Sequence, residues 1–437
     1  MSRPARALLV VVVAAACARA PEPLAPGSPA PAVPLDPCIV AGSPGRTPDT
    51  LDVVLDDPVN PSPAPGSGAE WLVFAQVYET LVRLDCTGAP RPALAAEWRS
   101  EDGGRAWTFT LRADAAFWDG APLSADSIVA HWRARPAQTA RLALAGVDSV
   151  GPVAERGIRL VFAEGTDTAP ALLADPGLAP TLDRGGPWPI GAGAWRPISD
   201  PAGTRLALLL PSGAAGNGGP VLRVAAGHGD PRDALDAGAD LLTTASPAAL
   251  AYARTRPELT TVPLPWSRTY VLASARPFGP AADTALRAAL ARDVVRVDAR
   301  AAGPPFWWDA ACGSSRPGPI SATQGSRIGY PAQDPAAGAL ASRLVALGAV
   351  GRGGAVLPLP TPELLAGIEA GRIAAAVLPL PRVPTVPCAA VLRTPVGWAV
   401  SPLVDTRAHL VARRDGPVLR VDGFGAVRVD PAGMAAP

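Results

Sequence analysis

The residue types that carry out most enzyme chemistry are scarce in this chain. The sequence has three histidines, five cysteines and no lysine, so its strong side-chain cations are all arginines. Without an amine side chain, Schiff-base chemistry, a phosphate-loop lysine and a Ser-x-x-Lys acylation site are excluded. His131, His228 and His409 lie far apart in sequence and no C-x-x-C pair occurs, so we expect no metal site.

No catalytic motif makes up for this scarcity. Gly191-x-Gly193 and Gly351-x-Gly353 lack the third glycine of a dinucleotide-binding loop, and neither G-x-S-x-G nor H-E-x-x-H occurs. Asp56 and Asp57 are adjacent, and adjacent strand residues point to opposite faces, so the two carboxylates are poorly placed to share a proton. We therefore expect a protein that is not an enzyme and that has no cofactor.

Aromatic side chains are numerous enough to form a binding site. A solute site needs flat apolar surfaces and a few aimed polar groups, and eleven tryptophans can supply those surfaces. Trp98, Trp107 and Trp132 are expected in the core. The predicted ligand contacts are aromatic residues near loops or chain crossings, together with one amide: Asn60, Trp71, Trp195, Trp266, Tyr270, Trp307, Trp308 and Trp398. The alternative interpretation is that these tryptophans also fill a core.

The N-terminal residues have the pattern of a secretory signal. Two arginines precede the apolar run 8–13 and the three alanines after it, which together make about half of the ~20 residues that a membrane-spanning helix needs. Small residues directly before Cys17 resemble the lipobox of bacterial lipoproteins, in which the cysteine is acylated. The alternative is an ordinary signal with a chance cysteine. We predict a signal peptide over 1–16 and a lipid-anchored, proline-rich tether over 17–37.

Charge and the remaining cysteines limit the partners and the compartment. The 39 arginines and 38 acidic residues give a net charge of +1, so there is no basic surplus to hold nucleic acid. Four cysteines remain besides Cys17, and an even number in an oxidising compartment favours two disulfides, with three possible pairings.

Hydrophobic periodicity and turn residues predict the elements that would position these side chains. In the first part of the chain they predict a strand over 51–56, a loop over 57–68, a helix over 69–84, a hairpin over 93–112 and a helix from the cap Ser124 through Trp132. Later, four capping residues each precede a proline at a helix start: Asp230-Pro231, Ser246-Pro247, Asp334-Pro335 and Thr361-Pro362. Apolar strands alternate with these helices, which indicates α/β lobes.

A dense series of motifs lies within residues 76–132. Its pieces are Tyr78-Glu79-x-Leu81, Pro92-x-Leu94-Ala95, Trp98, Trp107-x-Phe109-x-Leu111-Arg112, Phe117-x-Asp119-Gly120 and Leu123-x-Ala125-Asp126. In order and spacing they resemble the signature of extracellular solute-binding family 5, the peptide-, dipeptide- and nickel-binding receptors of bacterial ABC importers. Weaker similarities follow at 190–195, at Ala237-Gly238-x-Asp240 and at Arg287-x-Ala289-Leu290.

The resemblance implies an α/β, two-lobed periplasmic-binding-protein-like fold, with an extra subdomain on the large lobe and a shortened second lobe. The expected ranges are 38–268 for the large lobe, 76–150 for its extra subdomain, 271–390 for the reduced second lobe and 395–437 for a return segment to the large lobe. Crossovers near 268–272 and 390–397 would form the hinge. With these lobes we predict the disulfides Cys38–Cys86 and Cys312–Cys388, since each pair then falls within one lobe.

One departure from the family pattern bears on the ligand. Peptide binders of the family carry an acidic residue late in the second lobe that meets the ligand's amino terminus. This chain has no acidic residue between 371 and 404, which argues against recognition of a peptide amine.

We therefore predict a monomeric, extracytoplasmic solute-binding lipoprotein, anchored to a bacterial membrane in the periplasm or at the cell surface. It would capture a small molecule or short peptide between its lobes by closure and then dock on an ABC permease. The alternative is a structural or signalling surface lipoprotein that retains the fold without transport. The missing catalytic motifs argue against an envelope hydrolase.

Overall fold

A computed structural model of the chain gives the fold. It describes residues 38–41, 50–55, 59, 68–200, 203–208, 221–226, 229–266, 268–274, 284–295, 299–302, 327–332, 334–347, 354–370, 372–373, 375–381 and 399–429. The predicted signal, lipid anchor and tether therefore lie outside the described residues. Within the described residues, no helix is both long and apolar enough to span a bilayer.

The strands of the described residues fall into five sheets. In chain order they are β1 (Ile39–Ala41), β2 (Thr50–Leu55), β3 (Val82–Leu84), β4 (Pro90–Pro92), β5 (Ala95–Glu101), β6 (Ala106–Leu111), β7 (Val147–Val153), β8 (Gly157–Phe162), β9 (Trp195–Asp200), β10 (Gly203–Leu208), β11 (Val221–Ala226), β12 (Leu241–Thr244), β13 (Leu259–Pro263), β14 (Arg268–Ser274), β15 (Ala299–Ala301), β16 (Arg327–Pro331), β17 (Ala355–Leu359), β18 (Ala375–Pro381), β19 (Ala399–Thr406), β20 (His409–Arg413), β21 (Leu419–Val421) and β22 (Val427–Val429).

Helices alternate with these strands through most of the described chain. They are α1 (Gly68–Val77), α2 (Ala125–Ala134), α3 (Pro136–Leu144), α4 (Ala169–Leu172), α5 (Pro231–Asp236), α6 (Pro247–Arg254), α7 (Thr284–Leu290), α8 (Pro335–Ala346) and α9 (Thr361–Glu369). Short helical turns of other types occur at Asp102–Gly104, Pro176–Leu178 and Ala291–Val295.

Capping chemistry explains where most of these helices begin. Ser124 forms a reciprocal capping box with Ser127 at the start of α2. The predicted caps Asp230, Ser246 and Asp334 each accept a backbone N–H of the first turn, ahead of a proline. The fourth predicted cap is wrong, because α9 begins at Thr361 itself with Pro360 before it and no side-chain cap.

The first large sheet has seven strands in the order β13-β20-β12-β2-β11-β10-β9. Its central strand β2 pairs in parallel with β11 and β12, and the outer pairs are antiparallel. Alternate residues Leu51, Val53 and Leu55 of β2 point into a core that also takes in the apolar residues of α1. Helix α1 ends at Val77, so the predicted helix over 69–84 is too long; residues 82–84 form β3 instead.

A second layer is the four-stranded antiparallel sheet β5-β6-β8-β7, which α2 packs against. It has its own core, in which Phe109, Ile128 and Trp132 are fully buried. The sheet begins at Ala95 and continues to Phe162, past residue 150, where the predicted extra subdomain ends. The reason is the hairpin β7–β8, which the periodicity at 93–132 gave no sign of.

The six-stranded sheet β15-β19-β14-β18-β16-β17 belongs to the second half of the chain. Helix α8 packs on it through Leu340 and Leu344, in a core with Tyr270 and Leu272 of β14. Strand β14 is buried almost throughout and has a neighbour on each side, β19 and β18.

The chain crosses between the two large sheets twice within the described residues. Residues 264–266, with residue 267 after them, connect β13 to β14, and residues 407–408 connect β19 to β20. The predicted crossover at 268–272 is therefore wrong, and the one at 390–397 lies outside the described residues. Segment 268–272 is a central strand, and Ala399–Thr406, expected in the large lobe, pairs in the six-stranded sheet. Pro402 of β19 lies at an irregularity of the β14–β19 register, where a proline is tolerated.

A disulfide joins Cys38 to Cys86, the first of the two predicted pairs, with the Cα atoms 5.3 Å apart. Cys38 precedes β1, and β1 pairs with β21 near the end of the described chain. The bond therefore ties the first described residues to the segment after β3. Cys312 and Cys388 lie outside the described residues, so the second pair stays a prediction.

Candidate ligand-binding site

The turn after Ile190 is built by close packing against the end of α1. Gly191 lies so near this helix that an added Cβ would be 2.4 Å from the carbonyl oxygen of Val77 and 2.5 Å from Cδ1 of Tyr78. A Cβ on Gly193 would be 2.3 Å from the carbonyl oxygen of Gln76. Backbone bonds fix this contact: Gly193 N–H donates to Val77 and Trp118 N–H donates to Gly191, both at 3.0 Å. Only glycine fits at such an approach.

Four aromatic rings, which we call the aromatic wall, lie around this turn: Phe74, Tyr78, Trp118 and Trp188. Tyr78 stacks on Trp118 with 6.4 Å between ring centroids, and Phe74 meets Trp188 edge-on at 6.2 Å. The two tryptophans are half-buried, so part of each ring stays accessible. Burial raises the pKa of the Tyr78 hydroxyl, which has no hydrogen-bond partner among the described residues.

Trp71 takes part in a different contact. It is half-buried on α1 and stacks on Phe424 with 5.3 Å between ring centroids. Together with Tyr78 and Asp422, these rings line a narrow cavity with a volume of about 20 Å³. That is room for a water molecule and far too little for an organic solute. Burial raises the pKa of Asp422 there.

The family-like motifs prove to be mainly structural. Arg112 makes a bidentate pair with Glu79, with both nitrogen–oxygen distances 3.0 Å, and also donates to the carbonyl of Ala93. Trp132 is fully buried and donates from Nε1 to the carbonyl of Leu178, as expected of a core residue. Trp98 and Trp107 are half-buried and pack against the same core, so they are less enclosed than predicted.

Two predicted ligand contacts are core residues instead. Trp195 is 1% exposed, at the start of β9 among the residues packed around α1. Tyr270 is 2% exposed and donates its hydroxyl proton to Asp334, the cap of α8, at 3.0 Å. Burial raises the pKa of this Tyr270 hydroxyl. Both side chains are near loops or predicted crossings in sequence, but strand pairing turns them inward.

Trp266 lies on the first connection between the two large sheets, and it is half-buried. The guanidinium carbon of Arg300, from edge strand β15, lies 4.5 Å from the centre of its ring, and that of Arg407, from the second connection, lies 4.7 Å away. Trp266 therefore links both connections and the six-stranded sheet. We call Trp266, Arg300, Asp405 and Arg407 the crossing cluster.

Strand register explains how the crossing cluster assembles. Asp405 of β19 lies opposite Thr269 of β14 on one side and opposite Arg300 of β15 on the other. Its buried carboxylate accepts from Thr269 Oγ1 at 2.7 Å and from Arg300 Nε at 3.1 Å. The charge of Asp405 is thus met by hydrogen bonds, as a fully buried carboxylate requires.

The crossing cluster and the aromatic wall share a core. Leu264, two residues before Trp266, is buried in the same cluster as Phe74 and Tyr78, and Ala408, next to Arg407, packs against it. The structure thus connects an accessible aromatic surface on the large sheet to the two connections. Arg300, Asp405 and Arg407 were missed from the sequence, because nothing marks residues so far apart as neighbours before β15, β19 and β14 are paired.

One histidine is held in its neutral form away from this region. Nε2 of His131 on α2 lies 3.2 Å from Nε2 of Gln138, which also donates to the carbonyl of Gly177. An amide nitrogen can only donate, so the ring nitrogen accepts and is unprotonated. Burial, together with the charge of Arg135, lowers the pKa of His131 to about 4.

The remaining predicted site residues belong to segments that the structure does not describe. Asn60, Trp307, Trp308, Trp398 and the anchor Cys17 lie outside the described residues. Among the side chains that the structure describes, no group of three or more His, Cys, Asp or Glu could hold a metal ion.

Two α/β sheets connected by two short crossings define the class of two-lobed periplasmic binding proteins, and solved structures of that class match the chain. A dipeptide-binding protein from Pseudoalteromonas sp. SM9913, in complex with Met-Leu, matches with a TM-score of 0.65 and 13% identity over 86% of this chain and 98% of that one. NikZ from Campylobacter jejuni, in complex with Ni(L-His), matches with a TM-score of 0.62 and 14% identity over 86% and 97%. The predicted fold class is confirmed.

Sequence comparison shows which family part of the chain resembles. Residues 89–208 match the family model described as "Bacterial extracellular solute-binding proteins, family 5 Middle". The Nickel-binding periplasmic protein of Escherichia coli (strain K12) is 42% identical over 64 residues, which span 14% of this chain and 12% of that protein. The predicted resemblance to solute-binding family 5 is thereby confirmed, on a matched stretch that covers about an eighth of this curated relative.

Proposed function

We propose that the protein is an extracytoplasmic solute-binding protein that captures a small molecule or short peptide between two lobes and delivers it to an ABC importer. The observation that carries this proposal is the architecture: two α/β sheets joined by two short connections, in a chain whose residues 89–208 match solute-binding family 5. A ligand that contacts both sides of such a hinge favours the closed form by its extra contacts there.

The ligand we propose is of modest size, with an apolar or aromatic part. The half-buried rings of Trp118 and Trp188 offer flat contact area, and two arginine guanidinium groups lie over the ring of Trp266. Asn60, Trp307, Trp308 and Trp398 remain proposed contacts from segments outside the described residues. The absence of acidic residues between 371 and 404 argues against a peptide whose amino group is read there.

The proposed location follows the relatives, which include periplasmic proteins. We propose that Cys17 carries the lipid and that residues 18–37 act as a spacer, so that the body works close to its permease. The expected partners are the solute, the ABC permease and the membrane. The protein acts as a monomer without enzymatic activity in this proposal.

The absence of acidic residues between 371 and 404 also favours a second candidate function. A structural or signalling lipoprotein that has kept the fold would not need to retain a ligand anchor. A permease gene beside the gene for this protein favours transport, and its absence favours this second function.

A solute screen tests the proposal. We expect at least one solute to raise the melting temperature of the purified protein and to shift its tryptophan emission, because closure changes the exposure of half-buried rings. Trp266→Phe should reduce the emission change. Trp107→Phe should leave it nearly intact, because Trp107 is a half-buried ring on β6 of the four-stranded sheet. Trp307→Ala should weaken binding with little change in melting temperature. A broad screen in which no solute stabilises the protein would contradict the proposed function.

A further inference from the structure

The crossing cluster brings two arginines to one aromatic ring at the junction of the two sheets. Arg300 comes from the six-stranded sheet, whereas Trp266 and Arg407 come from the two connections. Each guanidinium carbon is within 4.7 Å of the ring centroid. Any solute held at this junction would meet these three side chains together.

The two arginines differ in the groups that pair with their positive charge. Arg300 donates from Nε to the buried carboxylate of Asp405 at 3.1 Å. Arg407 is half-buried, and no carboxylate in the described part of the chain pairs with it. Its Nε is buried without a hydrogen-bond partner, so its described partner is the face of Trp266. A guanidinium keeps its positive charge in such a setting.

The charge of the cluster is therefore unbalanced. Arg300 and Arg407 contribute two positive charges and Asp405 one negative charge, which leaves one positive charge at a partly desolvated place. A guanidinium has five donors in a planar fork that matches a carboxylate in two parallel hydrogen bonds. Arg300 uses Nε on Asp405 and remains 44% exposed, so its outer nitrogens can also reach a ligand.

We propose that the crossing cluster is the carboxylate-binding part of the solute site. One ligand carboxylate would lie against the Arg407 guanidinium and the outer nitrogens of Arg300, and the apolar part of the ligand would lie beside Trp266, whose ring is covered by these guanidinium groups. This assignment rests on the proposed function and narrows it to carboxylate-bearing solutes. Because Arg407 and Trp266 belong to the connections, such a ligand would bind where lobe closure changes the backbone.

The test uses two acid–amide pairs as probes on the full chain, at one ionic strength and pH: Met-Leu with Met-Leu amide, and hydrocinnamate with hydrocinnamamide. For wild type we expect at least one acid to bind at least tenfold more tightly than its amide, measured by calorimetry and thermal shift. Arg407→Gln should remove that preference. Arg413→Gln should retain it, because Arg413 lies on the neighbouring strand β20 and pairs with Asp415.

A second variant, Arg407→Lys, tests the proposal independently of whether Arg407→Gln folds. Arg407→Lys keeps the charge but loses the planar fork, so we expect a reduced preference for the acid at a nearly unchanged melting temperature. The proposal is overturned if Arg407→Gln keeps the full preference, or if it lowers the melting temperature without reducing the preference. Equal binding of acid and amide by wild type refutes the carboxylate site but leaves solute capture standing. If no probe binds, the carboxylate site is refuted for these classes, and the solute screen above decides on capture separately.

Discussion

Replacing Gly191 with alanine should loosen the support of the aromatic wall. The new Cβ would meet the Val77 carbonyl oxygen at 2.4 Å, Tyr78 Cδ1 at 2.5 Å and Trp118 Cζ3 at 3.1 Å. The first of these atoms is backbone and the other two belong to packed rings, so none can move aside cheaply. Overpacking of this kind costs about 3 kcal/mol, at the upper end of the usual range.

The assay is thermal unfolding with a matched control from the same segment. At roughly 2 °C per kcal/mol for a chain of this size, Gly191→Ala should lower the melting temperature by about 6 °C. Gly186→Ala is the control, because the nearest atom to its Cβ would be the Trp188 carbonyl oxygen at an ordinary 3.8 Å; it should change the melting temperature by about 1 °C or less. Equal melting temperatures for the two variants would refute the close packing of the turn on α1.

Three further predictions follow from the anchor, the disulfide and the neutral histidine. Cys17→Ser should release the protein from membranes into the soluble fraction; sedimentation of the variant with membranes in high salt would place the anchor elsewhere. Removing the Cys38–Cys86 bond, which spans 48 residues, should reduce the free energy of unfolding by up to about 4 kcal/mol in denaturant titrations; an unchanged titration midpoint would show that the bond does not form. Burial lowers the pKa of His131 from 6.5 to about 4, so the unfolded chain binds a proton at this ring more tightly than the folded protein does. The stability contributed by the neutral ring is therefore complete above about pH 6.5 and is lost as the pH falls toward 4. His131→Gln should flatten the dependence of melting temperature on pH in that window, and an unaltered dependence would show that other groups cause it.

Local signals in the sequence predicted much of the fold. The capping residues Ser124, Ser246 and Asp334 each begin a helix, because an oxygen that accepts a first-turn N–H acts within a few residues of sequence. The two-lobed class was predicted by the resemblance of the family-like motifs to a known family. The residues of these motifs lie within a short stretch of chain and contact each other, as in the bidentate pair of Arg112 with Glu79.

The site was harder to predict because its residues meet only through long-range pairing. Arg300 and Asp405 are opposite each other solely because β15 lies beside β19. Tyr270 looked like a crossover residue, but β14 has a strand on each side, which buries it. Trp266 alone among the described predicted contacts lies on a crossing, in the connection that follows Pro263, the last paired residue of β13.

Native mass spectrometry after incubation with a low-molecular-weight cell extract tests solute capture most directly. The wild-type protein is exchanged into volatile buffer, and its intact mass is compared with its mass after denaturation. We expect one additional small-molecule mass that is lost on denaturation. The fraction of protein that carries this mass should be lower for Arg407→Gln than for wild type and unchanged for Arg413→Gln. An intact mass that equals the denatured mass, with no bound species at any extract concentration, would contradict the proposal that this protein captures a solute between its lobes.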